Sequence, residues 1–179
     1  MKNHINTFYS ILLVSVILLV SCSGEQSNDF VFSNDLENVR GWAGAQNNEH
    51  TVRKGEAHSG KYLSKTDSVY QYGFTYRIFL SQVSSDPINK LKASTWVKIN
   101  DEKANADLVI ALDSVGKSIS WSSIPISEFV RKTDEWKNVT YEVQWPELKS
   151  SKDYMVTVFI WNRGRADVFA DDIRVEFLK

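Results

Sequence analysis

The sequence predicts an all-β protein: a two-sheet antiparallel β-sandwich of the jelly-roll type, with no substantial helix beyond an N-terminal signal peptide. Three observations carry that expectation. Short runs rich in β-branched and aromatic residues, roughly eight to ten of them, recur at even spacing between Gly-, Asp- and Pro-containing turns. No run keeps a helical period for more than about two turns. In the last run, Asp171-Asp172-Ile173-Arg174-Val175-Glu176-Phe177-Leu178, the apolar residues Ile173, Val175 and Phe177 fall on one face and Arg174 and Glu176 on the other. That is the period of a half-buried strand. Asp171 shares its parity with the apolar series, so an inward carboxylate needs donors, a cation or a turn to meet it. Asp172, its neighbour, points to the opposite face.

Composition narrows the function classes. With 179 residues and 42% hydrophobic content, the chain has material for one substantial core. A formal net charge of −1 and the lack of a basic run exclude an electrostatic nucleic-acid binder. The single cysteine, Cys22, excludes a disulfide within the chain and a thiolate metal cluster. Six Trp, seven Tyr and nine Phe need either a core or a ligand to lie against.

The N-terminus reads as an address. After Lys2, Phe8 to Val20 is an uncharged run of about a dozen mostly aliphatic residues, short for a spanning helix and suited to a signal-peptide core. Leu19-Val20-Ser21-Cys22 resembles the lipobox of bacterial lipoproteins, in which the cysteine is acylated and becomes the first residue. The expected division is a signal peptide over 1–21, an acylated Cys22 with a polar tether over 22–28, and a folded domain over 29–179. Loss of Lys2 would take the formal charge from −1 to about −2. Acyl chains contribute about 0.8 kcal/mol per buried methylene, enough in combination to hold a protein at a bilayer. Ser23 after the cysteine resembles the pattern that permits outer-membrane sorting, so the bacterial envelope, outer membrane before inner, is the expected location.

The body follows in order. Asp29 to Phe32 is a short strand ending in a polar turn and Gly41-Trp42. Gly55 to Ser64 is a Gly-bracketed turn entering a strand, and Tyr70 to Val83 reads as an aromatic-rich strand. Leu91–Ile99 and Ala106–Asp113 are strands, and Ser114-Val115-Gly116-Lys117 is a hairpin turn into Ser118–Ile126. Glu128 to Glu135 is a polar connection with room for one helical turn. Trp136–Trp145 is a strand stopped by Pro146, Tyr154–Asn162 is the next, and Arg163-Gly164-Arg165 turns the chain into the last.

Four stretches together resemble carbohydrate-binding-module jelly rolls of the galactose-binding-like type. They are Asp35-Leu36-Glu37 with Gly41-Trp42; Ala57-His58-Ser59-Gly60-Lys61-Tyr62-Leu63-Ser64; Leu91 to Lys98; and Trp136 to Thr140 with Val168 to Ile173. Members of that superfamily mostly bind glycans, though the fold hosts other binders too. Many hold a structural calcium. By position, the resemblance implies the carboxylates of Glu37 and Asp171 and main-chain carbonyls near Ser59 to Lys61 as its ligands, oxygen donors of the kind calcium prefers. The alternative is that Asp171 caps a turn through backbone N–H groups.

Strand parity then sorts the aromatics. Val156, Val158 and Ile160 read as core, which leaves Phe159 and Trp161 on the outer face with Thr157. Leu108, Ile110 and Leu112 read as core, with Val109 and Ala111 outward between Asp107 and Asp113. Trp96 lies with Ser94 and Lys98 on the polar side of its strand. An outer patch of Trp96, Phe159 and Trp161 over small residues, with Trp121 at the rim, would suit a sugar, whose C–H faces stack on rings. Arg77, Asp107, Asp113 and Asn162 are the candidates for its hydroxyls. Aromatic packing under loops and a protein-binding surface are the competing readings of the same residues.

Catalysis has few ingredients. After processing only His50 and His58 remain, and no Gly-x-Ser-x-Gly elbow is present. Asp107 and Asp113 are roughly 20 Å apart at strand rise, too far for a glycosidase pair. The expectation is a lipid-anchored, non-catalytic binding module for a glycan, the alternative an interaction or structural subunit of the envelope that binds another protein.

Overall fold

The computed structural model describes residues 30–42, 47–146, 148 and 154–178. The stretches expected to be a signal peptide and a tether, with Cys22, lie outside the described residues. Among those described, ten strands form two antiparallel sheets, as the sequence predicts. Sheet A contains β1 (Phe30–Asn34), β2 (Val52–Lys54), β3 (Tyr62–Thr66), β5 (Lys90–Ile99), β8 (Lys137–Gln144) and β10 (Val168–Leu178). Its order is β2-β3-β10-β5-β8, with β1 also paired to β10. Sheet B has the order β4-β9-β6-β7, from β4 (Tyr76–Phe79), β9 (Tyr154–Asn162), β6 (Ala106–Ser114) and β7 (Lys117–Pro125).

The two sheets bury the parities the sequence assigned to the core. Leu108, Ile110 and Leu112 of β6 and Val156, Val158 and Ile160 of β9 face Leu91, Ala93, Val97 and Ile99 of β5 and Val175 and Phe177 of β10 in one apolar cluster. Phe177 is fully buried, with the rings of Phe32 and Tyr76 against it. Side chains of alternate residues leave a strand on opposite sides, so one buried parity in each sheet necessarily presents the other parity outward.

The aromatic segment over Tyr70–Val83 is not one strand. Only Tyr76–Phe79 is β4, and Leu80–Val83 is a single helical turn. Residues 71–73 instead lace onto β9: the Gly73 N–H donates to Ile160 O at 2.9 Å, and the Asn162 N–H to Gln71 O at 2.8 Å. Gly73 has no room for a side chain without pressing on Ser64 and Thr66.

β10 is the second departure from simple alternation. Val168 and Ala170 face the core opposite Ile99 and Val97, and Ile173, Val175 and Phe177 face it further on, so the inward parity switches between 171 and 173. Asp171 lies opposite Trp96 on the outer face, not inward as its sequence parity predicts, and is buried there beneath the turn whose Ser59 N–H it accepts. The register against β5 shifts between Asp171 and Arg174, which marks a β-bulge, and Asp172 takes φ 48°. The Asp171 carbonyl accepts from the Thr95 hydroxyl at 2.8 Å inside the core.

Phe177→Ala is expected to cost about 3–5 kcal/mol, as for other fully buried aromatics. Val115→Ala, at an exposed hairpin tip, should stay within about 0.5 kcal/mol. Denaturant midpoints of the two variants check both values.

Candidate functional site

The outer face of sheet B carries an aromatic groove. Antiparallel pairing sets Arg77, Thr157, Ala111 and Trp121 in one row across β4, β9, β6 and β7, because directly opposed residues share a face. The next row holds Phe159, Val109 and Ser123, and the one after it Trp161, Asp107 and Pro125. Trp121 meets Phe159 edge-on at 5.6 Å and Trp161 at 5.8 Å between ring centroids. Tyr72, bridged to Trp161 from the laced segment, lies parallel to its ring at 6.5 Å and edge-on to Phe159 at 5.7 Å. Three rings predicted to lie together, Phe159, Trp161 and Trp121, therefore do so, and Tyr72 joins them.

These rings differ in exposure. Phe159 is 8% exposed, covered by its neighbours, whereas Trp121 is 52% and Tyr72 46% exposed. The groove beside them holds about 500 Å³, bordered by Tyr72, Trp121 and Phe159, by Arg77 and Asp113, and by a small-residue floor at Ala111 and Thr157. That size is ordinary for a small-molecule or saccharide cleft. The Thr157 hydroxyl is buried at this floor without a hydrogen-bond partner among the described residues. A buried polar atom of this kind awaits a water or a ligand.

Asp107 borders the rings but is already engaged. It accepts from the Arg163 guanidinium at 2.8 Å and from Ser123 Oγ at 3.4 Å, and the same Arg163 lies 5.6 Å from the Trp161 ring centroid. The pair fixes the end of the groove more than it offers free acceptors.

Two predicted contact residues belong elsewhere. Asn162 is fully buried on the inward parity, where its side chain donates to Ala166 O and accepts from the Gly164 N–H. It builds the turn after β9 and does not reach the groove. Trp96 stands on β5, hence on the outer face of the other sheet, packed on His58 with ring centroids 3.8 Å apart. Parity tells which side of its own sheet a residue faces, but not which sheet holds the strand.

The residues assigned to calcium do assemble around one turn. Glu37 Oε1 accepts the N–H groups of Lys61 and Tyr62, and Asp171 Oδ2 accepts the Ser59 N–H at 2.9 Å. Asp171 Oδ1 accepts the Asp172 N–H at 2.7 Å. Gly60, at φ +62°, has no space for a Cβ beside the Glu37 carboxylate. The carboxylates thus accept from backbone N–H donors. Among the described residues, no group of three or more His, Cys, Asp or Glu side chains could hold a metal. This donor set fits a capped turn and does not fit a calcium cage of six to eight oxygens.

No protein-family model and no curated protein matches the sequence. Solved structures do share its fold. The CBM22-2 xylan-binding domain from Paenibacillus barcinonensis Xyn10C superposes with a TM-score of 0.54 at 12% identity, over 83% of this chain and 99% of that one. The xylan-binding module CBM15 superposes with a TM-score of 0.50 at 14% identity, over 83% and 97%. At these identities the likeness establishes the architecture alone: the chain shares the two-sheet β-sandwich fold of these two structures.

Burial raises the pKa of Asp171 from 3.8 to about 6, against the lowering effect of the N–H groups of Ser59 and Asp172. The folded chain then holds a proton that the unfolded chain has released. Stability from this group is complete below about pH 4 and is lost as pH rises through about 6, a swing on the order of 3 kcal/mol. Melting temperatures from pH 4 to 7 should fall less in Asp171→Asn than in the wild type. Excess chelator should leave the wild-type curve unchanged; a rise in Tm with added calcium that Asp171→Ala removes would restore the metal.

Proposed function

We propose that the protein is a non-catalytic glycan-binding module, taking its ligand on the outer face of sheet B, and that acylated Cys22 displays it from the bacterial envelope. The observation that carries the binding reading is the convergence of Tyr72, Trp121, Phe159 and Trp161 on one face, beside a floor of small residues. Ring faces supply stacking surface for sugar C–H groups. Arg77, Asp113 and the Thr157 hydroxyl supply hydrogen-bonding groups along the same groove. Two neighbours of the same fold are described as xylan-binding, which agrees with a polysaccharide ligand.

A binding role also suits the carboxylates. Asp107 is tied to Arg163, and Asp113 lies six residues along the same strand, roughly 20 Å away by strand rise. Glycosidase chemistry needs two carboxyl groups within about 5–9.5 Å of each other across the scissile bond.

Affinity electrophoresis against a panel of soluble polysaccharides, xylan and β-1,4-galactan included, tests the site. Trp121→Ala and Trp161→Ala should each weaken retardation at least about tenfold, or ~1.4 kcal/mol, with far-UV circular dichroism unchanged. Undiminished retardation of both variants on every polysaccharide would overturn the assignment. Palmitate labelling of the full chain should be lost in Cys22→Ser; label retained there would rule out the anchor.

A further inference from the structure

Trp96, separated from the sheet B rings, lines a second groove on the opposite flank of the molecule. We propose that this groove, on the outer face of sheet A, is a second and independent saccharide site.

The groove holds about 510 Å³ between the end of β1 and the surface of β10, β5 and β8. Its floor is small at Ser94, which sits opposite Arg174 on one side and Thr140 on the other. Asn138 lies opposite Trp96 on β8, and Asn34, Asp35 and Asn38 overhang from the β1 end. Trp96 is the groove's one aromatic surface.

That indole is held in place from behind. His58 stacks on it at an interplanar angle of 12°, and Asp172 fixes His58 through a 2.6 Å contact to Nδ1. Ser59 Oγ donates to the other Asp172 oxygen at 2.7 Å. Asp172 reaches this position from the bulge, next to Asp171, which lies opposite Trp96. A ring fixed by its own supporting contacts is what a stacking platform requires.

Arg174 is paired with Glu176, at 3.2 Å from Nε and 3.3 Å from the terminal nitrogen, and Asp172 holds His58. The rest of the lining is hydroxyl, amide and carboxylate: Ser33, Ser94, the amide N–H groups of Asn38 and Asn138, and the exposed Asp35, which accepts from the Glu37 N–H. Beside an indole, these donors and acceptors match a polyhydroxylated ligand with an apolar ring face.

The test uses the same polysaccharide panel with the doubly substituted Trp121→Ala/Trp161→Ala protein, in which the sheet B platform is removed. Retardation by at least one polysaccharide of the panel should persist in it, and fall at least about fivefold on adding either Trp96→Ala or Asn138→Ala. Asn138 is exposed, so its variant keeps the test open should Trp96→Ala unfold. Loss of all retardation in the double variant, with its circular dichroism intact, overturns the second site and leaves the sheet B reading standing. Persistent retardation that neither further substitution reduces also overturns it. Retardation unaltered in the double variant but abolished by Asn138→Ala supports the sheet A site and sinks the sheet B one. If the wild type is retarded by nothing in the panel, both fall.

Discussion

One extra residue in β10 governs more of this molecule than any other local feature. The bulge between Asp171 and Arg174 sets both adjacent aspartates against the Ser59 turn. Asp171, opposite Trp96 and fully buried, gathers the N–H groups of Ser59 and Asp172. Asp172 holds His58 and, through it, the Trp96 ring. Because β10 pairs with β1, β3 and β5, a local irregularity there is felt across sheet A. A buried carboxylate is a costly group to keep without a full set of donors, and the N–H groups of Ser59 and Asp172 offset only part of that cost, which leaves the Asp171 pKa raised.

The two outer faces follow different logics. On sheet B, rings from β7, β9 and the laced segment lie directly against one another, so the surface is cohesive and mostly apolar. Sheet A carries a single groove-lining indole among amides, hydroxyls and carboxylates. The same pleat produces both, because each sheet spends one parity on the shared core and leaves the other to be chosen by selection for what it meets.

Much of this was legible before any coordinates. The core parities of β6 and β9 follow from Leu108-Ile110-Leu112 and Val156-Val158-Ile160, and Phe159 and Trp161 are outward by the same count. Trp96 was assigned the right side of its strand and the wrong sheet, since pairing order is a long-range property that alternation does not encode. Asn162 follows Trp161 directly and so had to face inward; reading it as a ligand contact overlooked the parity rule at the one place it was decisive. Tyr72 was hidden inside a run that looks like continuous strand. Its signal is Gly73, the residue that lets the chain approach β9 closely. The bulge, too, leaves a trace: the apolar parity of Val168 and Ala170 is even, and that of Ile173, Val175 and Phe177 is odd. Whether the Glu37–Asp171 turn takes N–H groups or carbonyls depended on backbone orientation, which residue identity alone does not fix.

The lacing of residues 71–73 onto β9 sets the thermodynamic character of the sheet B cleft. Tyr72 is not on a free-swinging loop: main-chain bonds on either side of it, Gly73 to Ile160 and Asn162 to Gln71, clamp its backbone to the sheet. A guest arriving there finds a finished wall, and little conformational freedom is surrendered at the rim when it docks. Discrimination among guests therefore falls to the contour and spacing of fixed rings rather than to a segment that folds over whichever one arrives.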